Sequence, residues 1–300
     1  PPPSPSPLPG SDDDELWEDM GHRPLLNATQ GAGALSDIAA AYRQLLGVVK
    51  LPAVWGLTAF LLSYRLGVLS TESAYSLKLI DKGVAKETLA FLVLFQFPVE
   101  LGTALLAGRW AASHSPYAPF IVGYALRLAV CAALLLLTDA FPAGAASLSE
   151  HAGPFGALAG LSLLSSFGST LTFTALGSFF NSVSDPAMGG AYLTLLNTIA
   201  NMGYILPRTP VFWLMDRLTR AACMGPDGKL FDAACPKKAK DFLGPSACME
   251  LGGSCSLRAD GFYLIGWACL ALGGVIGLVY IRYLPVLMAL PLNRWRVQVR

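Results

Sequence analysis

Charged side chains interrupt several long apolar segments of this chain. Arg65 and Arg127 lie among apolar residues, and Arg208 lies between Pro207 and Pro210. A charge inside a membrane span costs at least about 2.5 kcal/mol, so it normally faces a cavity or a partner. The planar guanidinium donates two parallel hydrogen bonds to a phosphate or carboxylate. We therefore predict that Arg65, Arg127 and Arg208 bind an anionic substrate.

Carboxylates accompany these arginines. Glu72 follows Arg65 by two helical turns on the same face, and Glu100 lies in the next apolar segment. A carboxylate whose solvent access changes can load and release a proton, so both residues are candidates for proton coupling. Ion pairing is the alternative, because Arg65 can pair with Glu72 or a neighbouring helix, or snorkel, and a basic neighbour can hold Glu100.

A polar stripe marks the segment that follows Ser184-Asp185-Pro186, a helix-start signal. Asn197 and Asn201, with neighbouring threonines, recur at helical spacing, so we predict that both asparagines bond polar groups of the substrate. The pair Gly189-Gly190 predicts close helix contact. Two prolines near the end of the segment predict an interrupted helix facing the mouth of a pathway.

The composition places these residues in a membrane protein. Hydrophobic residues make up 54 % of the 300 residues and charged residues 14 %, against about 25 % charged in soluble domains. The net charge of +1 offers no basic surface for nucleic acid. Apolar runs of about 20 residues span the hydrocarbon layer, which predicts an all-α membrane protein. We predict six spans, at about 52–71, 88–108, 117–138, 155–180, 189–215 and 261–284.

Segments outside the spans have distinct compositions. Residues 1–35 predict a disordered, Pro/Ser-rich acidic linker, and residues 36–50 an amphipathic interfacial helix. Residues 286–300 form a basic tail, which places both ends of the six-span domain in the cytosol. The chain begins with proline, so we expect it to be part of a longer protein.

The loop at residues 216–260 carries cysteines at 223, 235, 248 and 255. Four cysteines in one loop predict one or two disulfides in an oxidising compartment, with three possible full connectivities. The candidates are Cys223, Cys235, Cys248 and Cys255. Zinc is the alternative, but the loop has no Cys-x-x-Cys pair and no histidine, so we predict neither a metal nor a cofactor. Disulfides place the loop in the lumen, although its Lys/Arg count favours the opposite orientation.

Several blocks of this sequence resemble the acetyl-coenzyme A transporters of the endoplasmic reticulum membrane, a family of major-facilitator type. The resemblance covers about residues 42–283 and is strongest in SDPAMGGAYLTLLNTIAN from Ser184. Other blocks are KLPAV at Lys50, SLKL at Ser76, GVAKE at Gly83, WLMD at Trp213, LGGSC at Leu251 and DGFY at Asp260.

The resemblance implies a six-transmembrane-helix half of a major-facilitator carrier, completed by an N-terminal six-helix half. The implied function is movement of acetyl-CoA, or a related acyl-CoA, from the cytosol into the lumen of the endoplasmic reticulum or Golgi. Transport would proceed by alternating access, as a solute:proton symporter. One run departs from the family pattern, Tyr204 to Thr209, where an added arginine bears on substrate preference.

Three alternatives to this function remain. A related permease for another organic anion stays open because of the departure at Tyr204 to Thr209. A membrane acyltransferase needs a base or nucleophile near the acyl group, but His22, His114 and His151 lie outside the spans and no G-x-S-x-G motif occurs. We therefore do not expect an enzyme. A half that packs but does not transport by itself is the remaining possibility.

Overall fold

The computed structural model describes residues 42–43, 45–113, 115–142, 152–186, 188–225, 230–231, 234–236 and 246–296. The predicted linker at residues 1–35 and all three histidines lie outside these residues. So do most of the predicted interfacial helix before residue 45 and the last four residues of the basic tail. Residues 45–49 are helical. Pro1–Leu46 and Gly47–Arg300 are separate units, and every element below belongs to the second.

The first span consists of two helices in line. Helix α1 (Pro52–Ser63) begins with a proline at its first position, and α2 (Leu66–Asp81) follows after Tyr64 and Arg65. Together they form a stretch from Pro52 to Asp81 that is long and apolar enough to cross a membrane. The helix continues beyond the predicted end at residue 71, because Glu72 and Lys78 find charged partners within the protein.

The other helices are long and mostly apolar. They are α3 (Lys86–Ser113), α4 (Tyr117–Ala140), α5 (Ala152–Val183), α6 (Gly189–Leu218) and α8 (Gly261–Met288), with the short α7 (Ala247–Glu250) between α6 and α8. Within the described residues, five stretches are long and apolar enough to span a membrane: α1–α2, α3, α4, α5 and α8. The prediction of an all-α membrane protein is therefore confirmed. Helix α6 is of similar length, but its polar stripe lowers its apolar content.

Helix α6 runs without interruption through Pro207 and Pro210. The prediction that these prolines break the helix is therefore wrong. Each proline removes only its own N–H from the ladder, and the hydrogen bonds of the flanking residues keep the segment helical. Helices α3 and α8 likewise continue through Pro98 and Pro285.

In the described part of the chain, close helix contact occurs at Gly67 and Gly273, and not at the pair Gly189-Gly190. Gly67 of α2 lies against Gly273 of α8, and a Cβ on either residue would overlap the backbone of the other. By contrast, a Cβ on Gly189 or Gly190 would meet no atom of the described residues within 4 Å. The predicted close contact at this pair is therefore not seen among the residues that the structure describes.

The core between α1, α4 and α8 is aromatic. Phe60 of α1 contacts Tyr64, Phe120 and Tyr280, with ring centroids 4.7 to 5.2 Å apart. Aromatic pairs at such distances add about 0.5–1.5 kcal/mol each beyond the burial of their surface. This cluster fixes α1 and therefore the position of the α1–α2 junction at Arg65.

A small sheet caps one end of the helices. Strand β1 (Arg220–Met224) directly follows α6, and β3 (Ser254–Ala259) directly precedes α8. With β2 (Leu230–Phe231) they form an antiparallel sheet in the order β2-β1-β3. Asp260 pairs with Lys78 of α2 and caps α8 by accepting from Phe262 N at 3.0 Å. The sheet thus holds the end of α6 beside the start of α8.

The four loop cysteines form two disulfides in the structure. Cys223 is bonded to Cys248, and Cys235 to Cys255. This is one of the three connectivities that the sequence left open.

Candidate functional site

A polar cavity of about 330 Å³ lies among helices α2 to α6. Its lining is rich in charged and hydroxyl groups, although the helices that supply it are mostly apolar. The lining residues are Arg65, Glu72, Tyr75, Gln96, Glu100, Arg127, Ser162, Ser165, Ser166, Ser169 and Tyr204. Because polar groups placed within membrane helices normally face a cavity or a partner, their convergence marks the candidate site.

Glu72 and Arg127 form a bidentate ion pair at one wall of the cavity. Arg127 Nε donates to Glu72 Oε1 at 2.9 Å, and Nη2 donates to Oε2 at 2.6 Å. The Arg127 side chain is 5 % exposed and that of Glu72 19 %. Glu72 therefore pairs across to α4 and not with Arg65, the partner its spacing suggested. The fork of Arg127, a predicted substrate ligand, is already bonded to a carboxylate.

Arg65 is the cation in the cavity lining that has no carboxylate partner among the described residues. It lies at the junction of α1 and α2, where its Nε donates to the Tyr64 hydroxyl at 2.7 Å. Its guanidinium lies 5.5 Å from the Tyr64 ring centroid and 5.8 Å from that of Tyr204. No ion pair involves Arg65 among the described residues. The aromatic faces hold the group in place, and its terminal nitrogens have no hydrogen-bond partner among the residues that the structure describes.

Glu100 lies opposite, on α3, and is held by a hydroxyl. Ser166 of α5 donates to Glu100 Oε1 at 2.7 Å. The basic neighbour that the sequence offered as an alternative is not seen, since no salt bridge involves Glu100 in the described part of the chain. The Ser166 hydroxyl is the side-chain donor to this carboxylate that the described residues show.

Helix α5 contributes a row of serines at helical spacing: Ser162, Ser165, Ser166 and Ser169. The hydroxyl of Ser162 is buried and finds no hydrogen-bond partner among the described residues. An unsatisfied buried hydroxyl costs about 1–3 kcal/mol, so such a group in a cavity wall is suited to a polar ligand or water. The Gly-, Ser- and Thr-rich sequence of this helix indicated mainly helix packing, although the three- and four-residue spacing of the serines was a readable signal of a polar face.

Helix α6 contributes Tyr204 to the described lining of the cavity, and none of the asparagines and threonines of its polar stripe lies in that lining. The Tyr204 hydroxyl shares a hydrogen bond with the Ser73 hydroxyl at 3.3 Å. Arg208, one turn later, is exposed, and its guanidinium lies 5.6 Å from the centroids of both Tyr204 and Phe212. Tyr204 therefore lies beside the cations Arg65 and Arg208. In the sequence, Tyr204 stood out only as part of the run Tyr204 to Thr209, which departs from the family pattern.

Asn197 and Asn201 lie outside the lining of the cavity. Both are exposed, and Asn197 Nδ2 donates to Leu193 O of its own helix at 3.0 Å. They share the face of Tyr204, but Asn197 is displaced from it by about 10 Å along the helix axis. Of the predicted site residues, the cavity thus brings together Arg65, Glu72, Glu100 and Arg127, and leaves Asn197, Asn201 and Arg208 on the outer surface of α6.

An apolar cavity of about 400 Å³ adjoins the polar one. The two cavities share Tyr75 and Gln96. Aliphatic side chains of α2 and α3 form most of its walls, and Lys86 supplies its charged group. The two compartments together offer a polar and an apolar environment side by side.

Comparison with known proteins identifies relatives of the whole chain. A family model described as Acetyl-coenzyme A transporter 1 matches residues 12–119 and 113–297. The uncharacterized membrane protein YBR220C of Saccharomyces cerevisiae is 27 % identical over 300 residues, covering 90 % of this chain and 51 % of the yeast protein. The uncharacterized protein C21B10.09 of Schizosaccharomyces pombe is 27 % identical over 250 residues, 83 % of this chain and 44 % of that protein.

The chain thus spans about half the length of the curated relatives it matches. No solved structure matches it significantly.

Proposed function

Because the chain belongs to the acetyl-coenzyme A transporter 1 family, we propose that it forms half of a carrier for acetyl-CoA or a related acyl-CoA. The observation that carries this proposal is Arg65, a guanidinium without a carboxylate partner among the described residues, in a polar cavity between membrane helices. Net transport would run from the cytosol into the lumen of the endoplasmic reticulum or Golgi.

The substrate's phosphates bind Arg65 first, with Arg208 as a second cation beyond Tyr204. A guanidinium binds phosphate through two parallel charge-assisted hydrogen bonds. Tyr204 lies within 6 Å of both cations and presents an aromatic face on which a nucleobase can stack. The adjoining apolar cavity suits the less polar arm that carries the acetyl group.

The ion pair between Glu72 and Arg127 positions the site instead of binding substrate. It joins α2 to α4 and lies beside Arg65 in the cavity wall. Glu100 is the better candidate for proton coupling, because one serine hydroxyl holds it whereas Glu72 is bound by two guanidinium nitrogens. In this proposal a proton taken up by Glu100 accompanies substrate movement.

Alternating access requires a second half that rocks against this one. The exposed polar stripe of α6, with Asn197, Asn201 and Arg208, is the surface we assign to the central pathway between the halves. A six-helix half of major-facilitator type, preceded by another six-helix half, accounts for relatives about twice as long. The two disulfides support a luminal position for the sheet, and therefore cytosolic chain ends.

Uptake by the full-length protein in liposomes tests this function. We expect saturable uptake of labelled acetyl-CoA that unlabelled coenzyme A blocks. Loss of a charge-assisted hydrogen bond is worth about 1.5–3 kcal/mol, so Arg65→Gln lowers the apparent affinity by about tenfold or more. Arg109→Gln is the matched control, since Arg109 is exposed and outside the cavity. Absence of uptake by well-folded wild-type protein refutes the proposal.

A permease for another organic anion is the second candidate, and Arg208 in the departing run of α6 favours it. With a labelled organic anion in place of acetyl-CoA, that function shows as saturable uptake of the anion that unlabelled coenzyme A does not block. An acyltransferase has less support, because the matching family is described as a transporter.

A further inference from the structure

The disulfides of the sheet lie close enough to exchange partners. The sulfur atoms of Cys223, Cys235 and Cys248 lie within 4.8 Å of one another, and Cys255 is bonded to Cys235. The two bonds therefore form one cluster of four sulfurs. Thiol–disulfide exchange proceeds by attack of a thiolate on a neighbouring disulfide sulfur, so proximity of this kind is its first requirement.

The two bonds differ in their exposure to solvent. Cys223 is 1 % exposed and Cys248 0 %, whereas Cys235 and Cys255 are partly exposed. Gly253 packs tightly on the inner bond: a Cβ there would lie 2.7 Å from Cys223 Sγ and 3.0 Å from Cys248 Sγ. An external reductant consequently reaches the bond between Cys235 and Cys255 first.

The strand register supplies an alternative partner for Cys223. In the antiparallel pairing of β1 with β3, Cys223 lies directly opposite Cys255. Opposed residues in such a ladder have Cα atoms about 4.5–5.5 Å apart, within the range of about 4.4–6.8 Å found for disulfides. A bond between Cys223 and Cys255 is therefore compatible with the existing ladder.

We propose that these four cysteines form a thiol–disulfide exchange centre that a dithiol reductant switches between two connectivities. The reductant transfers two electrons and two protons to the Cys235–Cys255 bond and becomes a disulfide itself. The Cys255 thiol gives its proton to water, and the resulting thiolate attacks Sγ of Cys223. The Cys223–Cys248 bond breaks, and Cys248 leaves as a thiolate that takes a proton from water. The product has one disulfide, Cys223–Cys255, and thiols at Cys235 and Cys248.

The exchange changes what the sheet holds. The new bond joins β1, which follows α6, to β3, which precedes α8. The end of α6 therefore stays covalently linked to the start of α8. Cys235 and Cys248 lose their covalent links to the two strands. The switch thus frees Cys235 and Cys248 as thiols while the helix ends remain joined.

Graded reduction of the full-length protein with dithiothreitol tests the proposal. Samples are quenched with acid and N-ethylmaleimide, and the disulfide-linked peptides are identified by mass spectrometry. We expect an intermediate with Cys223 linked to Cys255, and with Cys235 and Cys248 alkylated. Parallel loss of both native links without this intermediate overturns the proposal, as does alkylated Cys255 beside an intact Cys223–Cys248 link.

Single variants provide a second test without a reductant. Cys235→Ser leaves a thiol at Cys255, and Cys248→Ser leaves a thiol at Cys223. Both are expected to form the same Cys223–Cys255 bond, with loss of the remaining native link and release of the other cysteine as a thiol. Retention of the native link in both variants contradicts the exchange. If either variant fails to fold, the wild-type reduction series still decides.

Discussion

The buried ion pair between Glu72 and Arg127 allows an asymmetric prediction about stability. Removing one partner of a buried pair costs about 3–5 kcal/mol, because an uncompensated charge is left behind. Arg127→Met leaves a carboxylate whose side chain is 19 % exposed and which can become neutral by binding a proton. Glu72→Met leaves a guanidinium that is 5 % exposed and cannot lose its proton. Glu72→Met is therefore expected to destabilise more than Arg127→Met.

The double variant separates the charge effect from packing. Replacing both partners of a buried pair with apolar residues is often neutral or stabilising. If each single change costs about 3 kcal/mol and the double change costs about zero, the double-mutant cycle gives a coupling energy of about 6 kcal/mol in magnitude, the sum of the two single costs. Leu134→Met, a core change in α4 without a charge, is the control and should cost less than about 1.5 kcal/mol.

Denaturant titration of the full-length protein in detergent micelles measures these differences in the free energy of unfolding. The order expected is Glu72→Met least stable, Arg127→Met next, and the double variant nearest to wild type. Additive single effects, or Arg127→Met as the less stable variant, would show that the pair does not act as a buried, desolvated ion pair.

Other residues give shorter tests. Gly273→Ala should lower the melting temperature because its Cβ overlaps Gly67, whereas Gly274→Ala, with open space around it, should not; equal shifts would argue against the helix contact. Glu100→Gln should make acetyl-CoA uptake independent of an imposed pH gradient, while Glu87→Gln at the exposed start of α3 should leave the dependence intact. Asp260→Ala should destabilise by about 1 kcal/mol more than Asp260→Asn, since asparagine can still cap α8; denaturant titration measures the difference.

Several properties of the site were readable in the sequence, and others were not. Charges in apolar segments correctly indicated the residues that converge, since Arg65, Glu72, Glu100 and Arg127 all line one cavity. Their roles in substrate binding and proton coupling stay predictions. The sequence suggested Glu72 as a partner for Arg65 because residues two turns apart share a helix face. The sequence did not show that Glu72 instead pairs with Arg127, which lies on another helix.

The sequence by itself determined the membrane class, because length and apolar content decide whether a helix can cross a bilayer. It also identified the family and the cysteine-rich loop. Only the tertiary structure decided which arginine is left without a carboxylate, how the cysteines pair, and that Tyr204 rather than Asn197 enters the cavity. The physical reason is that composition and periodicity act along one helix, whereas ion pairs, disulfides and cavities depend on distances between segments that are remote in sequence.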